Sequence, residues 1–354
     1  MRVVFTGGGT AGHVLPNIGV VKELRERCAR DELEILYLGS EKGPERKLCE
    51  TYGVDFVAIS TGKLRRYFSW ENFVDPFRVI KGCFDAWRVL RKFRPDVVFS
   101  KGGFVSVPVV LAAAKLRIPV IVHEADVEPG LANRLCARFA KVICVSWEET
   151  MKFFEKNGGG DTWKKKILCT GMPVRAEVMS GVRERGLEFL GFSGERPVLL
   201  VMGGSLGAAS VNNLVWSVMD ELVNVFDVVH VTGAQNTQSA EHYVASRSHY
   251  KSIPYLQDEL FDVYAASDIV ASRAGASALA ELCVLGKPCV LIPLGSAQSR
   301  GDQIVNAGVL REAGAAEIYF QDWNDPSEFL RIITDLGTNE KKRAAFSKAM
   351  QLFG

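Results

Sequence analysis

Residues 3–17 read VVFTGGGTAGHVLPN. A short apolar run meets a glycine cluster, and a stretch with helical character follows, with His13 at its entrance. Strand, glycine turn and helix in that order open a parallel α/β sheet. The unpaired amides of a helix N-terminus and the helix dipole favour an anion at such a turn. The construction returns three times. Gly102 and Gly103 follow DVVFSK; Gly203, Gly204 and Ser205 follow PVLLVM and precede a helix near Ala208; SRAGAS follows DIVAS and opens a helix at Ala276. The first loop is not a P-loop, because no Lys-Ser/Thr follows its glycines. It matches the dinucleotide spacing formally from Gly7 to Gly12, yet no acid closes the next strand, EILYLGS, where a ribose-binding carboxylate belongs. Any one such loop is explained equally well by a tight turn or by a phosphate. Four of them spread along the chain favour anion binding for the set.

Outward from these loops the chain keeps one rhythm, a short apolar strand, a turn and an amphipathic helix. RVVFT, EILYLG, DFVAIS, DVVFS, PVIVHE and KVICVS are the strands of the first half, with helical patterns such as Gly19 to Arg30 and Phe77 to Phe93 between them. Near-continuous Val/Ile runs alternating with helices predict a parallel sheet covered on both faces. The pattern stops at NGGGDTWKKK, Asn157 to Lys166, which reads as a surface loop before a domain junction. It restarts with PVLLVMGGS, DVVHVTG, DIVASRAG, PCVLIPL and AAEIYF. At 354 residues the chain is too long for one ordinary core. We expect domains at 1–170 and 171–335, with 336–354 a helix able to pack back on the first domain. Two doubly wound halves place a cleft between them, with ligand at the carboxyl ends of the strands.

Hydrophobic content of 47% and charged content of 24% are those of a globular protein. A net charge of +2 gives no reason to expect nucleic acid as a partner. No apolar stretch approaches the roughly 18 residues of a membrane span, and the N-terminus lacks signal-peptide character. The eight cysteines include no C-x-x-C pair, so reduced thiols are expected. Glu281, about one and a half helical turns after SRAGAS, stands where a carboxylate can accept two ribose hydroxyls. A solvated helix carboxylate is the equal alternative.

TGGGTAGHVLP, SKGGFVSVPVV, HEADVEPGLANR, TGMPVR, VMGGSLGAASVN, SRAGASALAE and SRGDQIVNA occur in the order found in the MurG family, and the chain resembles that family over nearly its whole length. The resemblance implies a GT-B fold, two Rossmann-like domains with parallel sheets facing across a cleft. It implies an inverting transferase that moves N-acetylglucosamine from UDP-N-acetylglucosamine to lipid I, undecaprenyl-diphospho-N-acetylmuramoyl pentapeptide, giving lipid II. The enzyme would sit peripherally on the cytoplasmic face of the cell membrane. Carried to matching positions, Thr10, Ala11 and Gly12 lie near the acceptor diphosphate and donor sugar. Gly102 and Gly103 form a second substrate loop. Arg175 and Ser205 bind the donor, with Ser205 near the UDP phosphates. Ala276, Ser277, Ala278, Leu279, Ala280 and Glu281 form the uridine and ribose site. Gln303 reads sugar hydroxyls, and Gln257 joins the substrate-binding set. Three departures stand out. Ala11 replaces a common glycine, so that position cannot need positive φ. HEAD replaces H-E-Q-N, so Asp126 can accept from a sugar hydroxyl but cannot donate as an amide does. GSAQSRGDQIVNA is longer than in some relatives.

The reaction that the resemblance implies would displace UDP at the anomeric carbon through an oxocarbenium-like transition state. No Asp-x-Asp motif and no His/Cys ligand cluster is present, so we expect a metal-independent enzyme without cofactor. Loop amides, a helix dipole and Arg175 then meet the charge growing on the diphosphate. His13 leads as general base, since an unperturbed imidazole titrates near 6.5; a phosphate ligand or helix cap is its alternative role. Glu124 and Asp126 are the rival catalytic carboxylates. His123 is read as orienting their loop and His230 as structural.

Lys63 to Arg94 holds nine Lys/Arg against three Asp/Glu, leaving the rest of the chain near −4, together with eight aromatics. Aromatics at a headgroup boundary and basic side chains on anionic lipid are membrane chemistry. Arg65, Arg66 and Trp70 are the expected membrane contacts, whereas Val79, Ile80, Phe84, Trp87 and Leu90 fall at core-like helical spacing. Two alternatives to the transferase are a UDP-N-acetylglucosamine 2-epimerase of the same fold and a non-catalytic sugar-nucleotide-binding subunit.

Overall fold

The structure, a computed structural model, describes residues 1–29, 31–62, 71–158, 161–204, 207–236, 248–295 and 299–354. The chain divides into two units, Met1–Pro173 and Val174–Gly354.

Among the described residues the first unit carries one seven-stranded parallel sheet. Its strands are β1 (Arg2–Thr6), β2 (Glu34–Ser40), β3 (Asp55–Ile59), β4 (Val97–Ser100), β5 (Val120–Glu124), β6 (Val142–Val145) and β7 (Ile167–Cys169), in the order β3-β2-β1-β4-β5-β6-β7. In the register, Phe5 pairs with Tyr37 on one side and Phe99 on the other. Side chains alternate between two cores, as the period of two requires. Val3, Phe5 and Tyr37 bury against Val14, Ile18 and Val21 of the helix Ala11–Arg27. Val4, Leu38, Val98 and Val122 bury against Ala86, Leu90, Val109 and Ala113 of the helices Glu71–Phe93 and Ser106–Lys115.

The second unit repeats the plan with β8 (Val198–Met202), β9 (Asp227–Val231), β10 (Tyr250–Ile253), β11 (Ile269–Ser272), β12 (Cys289–Leu291) and β13 (Ala316–Ile318), in the order β10-β9-β8-β11-β12-β13. Its helix Pro326–Thr338 shows how sequence sets an element. Asp325 caps it by accepting from the amides of Ser327 and Glu328, proline stands in the first turn, and Phe329, Ile332, Ile333 and Leu336 bury one stripe. The last helix, Glu340–Gln351, belongs to this unit; Gln351 packs against Gly286. His230, on β9, is buried between Asn212 Oδ1 (3.0 Å) and the Tyr250 hydroxyl (3.1 Å). The amide oxygen only accepts, so Nε2 carries the proton and Nδ1 accepts from the tyrosine.

In each sheet the strand order reverses once, between β1 and β4 and between β8 and β11. Ligands of open α/β sheets bind at that switch point. The four glycine loops read from the sequence are the loops that leave these four strands.

Three local expectations change. β7 and β10 escaped the sequence reading. Both are edge strands, and ILC and YKSI expose Leu168, Cys169 and Lys251, so neither shows the continuous apolar run of a central strand. Asn157 to Lys166 is not all loop, since the helix Glu148–Gly158 ends inside it and a turn of helix follows at Asp161–Lys164. The helix Glu71–Phe93 does not bury all five residues expected of it. Its core face runs through Asp75, Gly82, Ala86 and Leu90, while Ile80 and Phe84 stand 67% and 54% exposed beside Phe77 at 73%. Gly82 fixes the choice of face, because a Cβ there would lie 2.0 Å from the Ser60 carbonyl oxygen. Only a bare backbone lets the helix approach β3 so closely.

Candidate functional site

In the first unit the loops after β1 and β4 are packed on each other. The Gly8 amide donates to the Gly102 carbonyl (3.3 Å), and a Cβ on Gly103, which has φ +78°, would lie 2.4 Å from the Gly8 carbonyl oxygen. Positive φ and lack of room together require glycine there. In the first loop positive φ is confined to Gly7 and Gly9. Ala11 already belongs to the helix, where the backbone needs no positive φ. Thr10 is the N-cap residue, Gly12 is exposed, and His13 is half-buried in the first turn with Nδ1 2.9 Å from Thr10 Oγ1.

Beneath this loop lies a carboxylate that the sequence reading missed. Glu45 is fully buried; Oε1 accepts from the Gly9 amide (2.8 Å), and Ser40 Oγ donates to both carboxylate oxygens at 3.0–3.1 Å. A Cβ on Gly8 would fall 1.8 Å from Oε1, so the second glycine makes room for this carboxylate. In sequence, Glu45 is an unremarked acid at the start of the short helix Glu45–Thr51.

Glu124 ends β5 and is also buried. Oε1 accepts from the amides of Ala125 (2.8 Å) and Asp126 (3.0 Å); Oε2 accepts from the Gly130 amide (3.0 Å) and Asn133 Nδ2 (2.9 Å). Those bonds use the roughly four acceptor positions of a carboxylate. Burial pushes the Glu124 carboxyl up from its ordinary value, with the Asp126 charge adding to it. Asp126 is half-buried, and its carbonyl accepts from Thr150 Oγ1 (3.2 Å). Lys101, between β4 and Gly102, is buried with Nζ 2.8 Å from His123 Nδ1, while His123 Nε2 lies 2.9 Å from the Gly171 carbonyl. The carbonyl only accepts, so Nε2 is the protonated nitrogen and Nδ1 accepts from the ammonium. Burial, then the adjacent ammonium, holds the imidazole down to about 3. Burial brings Lys101 down to about 8 against the pull of Glu124 and Asp126.

In the second unit the helix Ala276–Val284 begins at Gly275 with no side-chain cap. The amides of Ala276, Ser277 and Ala278 have no intrahelical acceptor by geometry. Leu279 differs from its neighbours. Its side chain is fully buried and its amide donates to Gly275 (3.0 Å), so it serves the core, while Ala280 is half-buried. Glu281 is half-buried and paired: Oε1 meets Arg175 Nη2 (3.0 Å), and Oε2 accepts from the Tyr264 hydroxyl (3.1 Å). Arg175 also lies over the Phe261 ring, 4.9 Å from its centroid. Gln303 Oε1 accepts from the Leu294 amide (3.1 Å), which ties the loop after β12 to the helix Asp302–Glu312. Gln257 is exposed on the loop after β10, at the edge of the sheet. Ser205, Arg65, Arg66 and Trp70 lie outside the described residues.

The first unit thus presents, at its switch point, paired glycine loops backed by the buried Glu45, Lys101 and Glu124, and the second a half-buried pair of Arg175 with Glu281 of the helix that follows the β11 loop. The family model of the glycosyltransferase family 28 N-terminal domain matches residues 3–145, and that of the C-terminal domain matches residues 198–353. A Bacillus cereus protein named UDP-N-acetylglucosamine--N-acetylmuramyl-(pentapeptide) pyrophosphoryl-undecaprenol N-acetylglucosamine transferase 2 is 44% identical over 98% of this chain and 95% of its own. The chain belongs to the MurG family. A Clostridium botulinum member bearing the same transferase name is 41% identical over 96% of this chain and 91% of its own. The crystal structure of MurG from Acinetobacter baumannii superposes with a TM-score of 0.76 at 26% identity, covering 99% of this chain and 94% of that one. The two parallel sheets are those of a GT-B glycosyltransferase. A UDP-GlcNAc 2-epimerase from Neisseria meningitidis, bound to UDP-GlcNAc, gives a TM-score of 0.69 at 15% identity over 100% of this chain and 96% of its own. That likeness is one of fold alone.

Proposed function

We propose that this chain transfers N-acetylglucosamine from UDP-N-acetylglucosamine to the muramoyl 4-hydroxyl of lipid I, giving lipid II and UDP with inversion at the anomeric carbon. The observation that carries the reading is the match, along almost the whole chain, to relatives named for that transfer. The bond from the anomeric carbon to the UDP oxygen breaks and its electron pair leaves with the diphosphate. The 4-hydroxyl oxygen forms the new bond from the opposite face, and its proton passes to a base. We assign His13 as that base: in the tautomer whose Nδ1–H donates to Thr10 Oγ1, 2.9 Å away, Nε2 carries the lone pair. Glu124, with both oxygens engaged by four donors, holds the 125–130 loop and Asp126 in place. Arg175 fixes Glu281 for the ribose hydroxyls, and the first turn of Ala276–Val284 meets the nucleotide. No metal enters this account; amides and guanidinium groups stabilise the leaving diphosphate.

The test is transfer of labelled N-acetylglucosamine to a short-chain lipid I analogue, with and without EDTA. Product insensitive to EDTA is expected. Loss of product with EDTA overturns the metal-free account. Bound UDP without product, or UDP-N-acetylmannosamine formed from donor alone, overturns the transferase reading.

The protein acts at the cytoplasmic membrane surface as a peripheral enzyme. No helix among the described residues is long and apolar enough to cross a membrane. Support comes instead from Phe77, Ile80 and Phe84, an exposed apolar stripe at helical spacing, with Arg78, Lys81 and Arg88 exposed beside it. Replacing the three apolar residues with serine is expected to lower binding to anionic vesicles at least tenfold, on the order of 1.5–3 kcal/mol per buried side chain being at stake. Folding should be unaffected, because none of the three is core. Unchanged vesicle binding in a sedimentation assay would remove this stripe from the membrane face.

A further inference from the structure

Lys101 is the residue after β4, only 1% exposed, and the one buried lysine or arginine of the first unit among the described residues. Strands β4 and β5 are neighbours, with Ser100 paired to Val122, and Lys101 meets His123 across them. Its Nζ donates to the neutral His123 Nδ1 (2.8 Å), and among the described residues no carboxylate forms an ion pair with it. The charges that act on the ammonium are those of Glu124 first and Asp126 second, with the Cys144 thiol of β6 behind them. Glu124 is the mirror case. It is buried at the end of β5, and its four donors are all neutral N–H groups. The charges that act on it are Asp126, which opposes its ionisation, and Lys101, which favours it. Asn133 joins the two sides: Nδ2 donates to Glu124 Oε2 and to the His123 carbonyl, while Oδ1, buried without a partner, faces Gly102 beside Lys101. A buried ion of either sign is strongly unfavourable alone.

The two burials account for each other. We propose that Lys101 is a positioning residue of the transferase: its ammonium is the counter-charge that keeps Glu124 a carboxylate, and so keeps the 125–130 loop and Asp126 in shape. The inference rests on the transferase reading above and adds a residue to it. Ionisation matters because of what the carboxylate holds. As an anion Glu124 accepts all four N–H groups; once protonated, one oxygen becomes a donor and faces an N–H instead. At least one of the bonds from Ala125, Asp126, Gly130 and Asn133 is then lost, and the loop that carries Asp126 loosens. Lys101 thus acts on the reaction through Glu124 and need not touch either substrate.

The test is the pH profile of kcat/KM for transfer to the short-chain lipid I analogue, by the full chain and by its Lys101→Met variant, with infrared spectra and UDP titrations of both. Near pH 6.5 the variant should be slower by about tenfold or more, since each pH unit of displacement is a factor of ten. The loss should shrink as the pH rises, because higher pH ionises Glu124 without help. Burial holds Lys101 itself down to about 8, so the unaltered chain gives up the same charge there and the two profiles converge. UDP affinity should be unchanged, the assigned donor residues lying in the second unit. At neutral pH the variant should show the C=O stretch of a protonated buried carboxyl, absent from the unaltered chain and from the double variant Lys101→Met, Glu124→Gln. A loss of equal size at every pH, no loss at all, or a variant without that band would overturn the proposal and leave Lys101 a prop for His123. Should Lys101→Met not fold, profile and band are read on Lys101→Gln, which keeps an N–H for His123 and drops the charge. If the unaltered chain makes no product, the transferase reading fails, and the infrared band still decides whether Lys101 keeps Glu124 ionised.

Discussion

Replacing His13 with alanine is expected to lower turnover of a lipid I analogue by about 10²–10⁴-fold, the usual worth of a general base, with UDP affinity changed by less than about threefold. The expectation comes from placement. His13 stands in the first turn after the loop of β1, half-buried, and Thr10 Oγ1 is 2.9 Å from Nδ1. If Thr10 accepts from Nδ1–H, it sets the tautomer that leaves Nε2 basic. Thr10→Val should then lose part of the same activity, because an imidazole without that acceptor divides between tautomers. The measurement is single-turnover transfer beside UDP titration by calorimetry. Parallel falls in both would make His13 a phosphate ligand, and Asp126 would become the leading base.

Glu124→Gln is expected to destabilise the first unit by about 3 kcal/mol or more, since charge-assisted hydrogen bonds contribute on the order of 1.5–3 kcal/mol each. Four donors converge on this carboxylate: the amides of Ala125, Asp126 and Gly130, and Asn133 Nδ2. A glutamine can turn its oxygen to only one pair. The other pair then faces an NH₂ group, donor against donor, inside the protein. For a unit of this size the loss corresponds to a melting shift on the order of 6–12 °C. Turnover should fall with it as the 125–130 loop loses its shape. A variant with unchanged melting temperature and no turnover would instead make Glu124 the base, against its saturated hydrogen bonding.

The sheets and the site differed in how openly the sequence displayed them. Central strands such as VVFT and VLLVM are buried on both faces and so read as apolar runs. The glycines that follow them mark where backbone must turn without side chains. Edge strands β7 and β10 expose part of their length and lost that signature. The helix Glu71–Phe93 misled for a related reason. Its exposed stripe is as apolar as its buried one, so periodicity could not say which face meets the sheet, and only the contact of Gly82 with the Ser60 carbonyl decides it. The site's supporting charges were hidden for another reason. Glu45 reaches a loop 36 residues earlier, and Glu281 meets Arg175 across 106 residues. Separations of that length belong to the folded topology and leave no local pattern.

Glu45 gives the first glycine loop an unusual relation to its surroundings. Its carboxylate already holds the Gly9 amide, so an anion approaching that loop meets a built-in negative charge behind the backbone. A bare glycine loop in a cell would fill with inorganic phosphate and free nucleotides, which are plentiful. If this loop takes the acceptor diphosphate, as proposed above, Glu45 weakens its capture of such anions and spares it that competition. An acceptor held in the membrane needs no tight capture, because confinement to the same surface as the enzyme raises its effective concentration. Weak intrinsic affinity for phosphate would then act as a filter, keeping the loop open for the one diphosphate delivered in two dimensions.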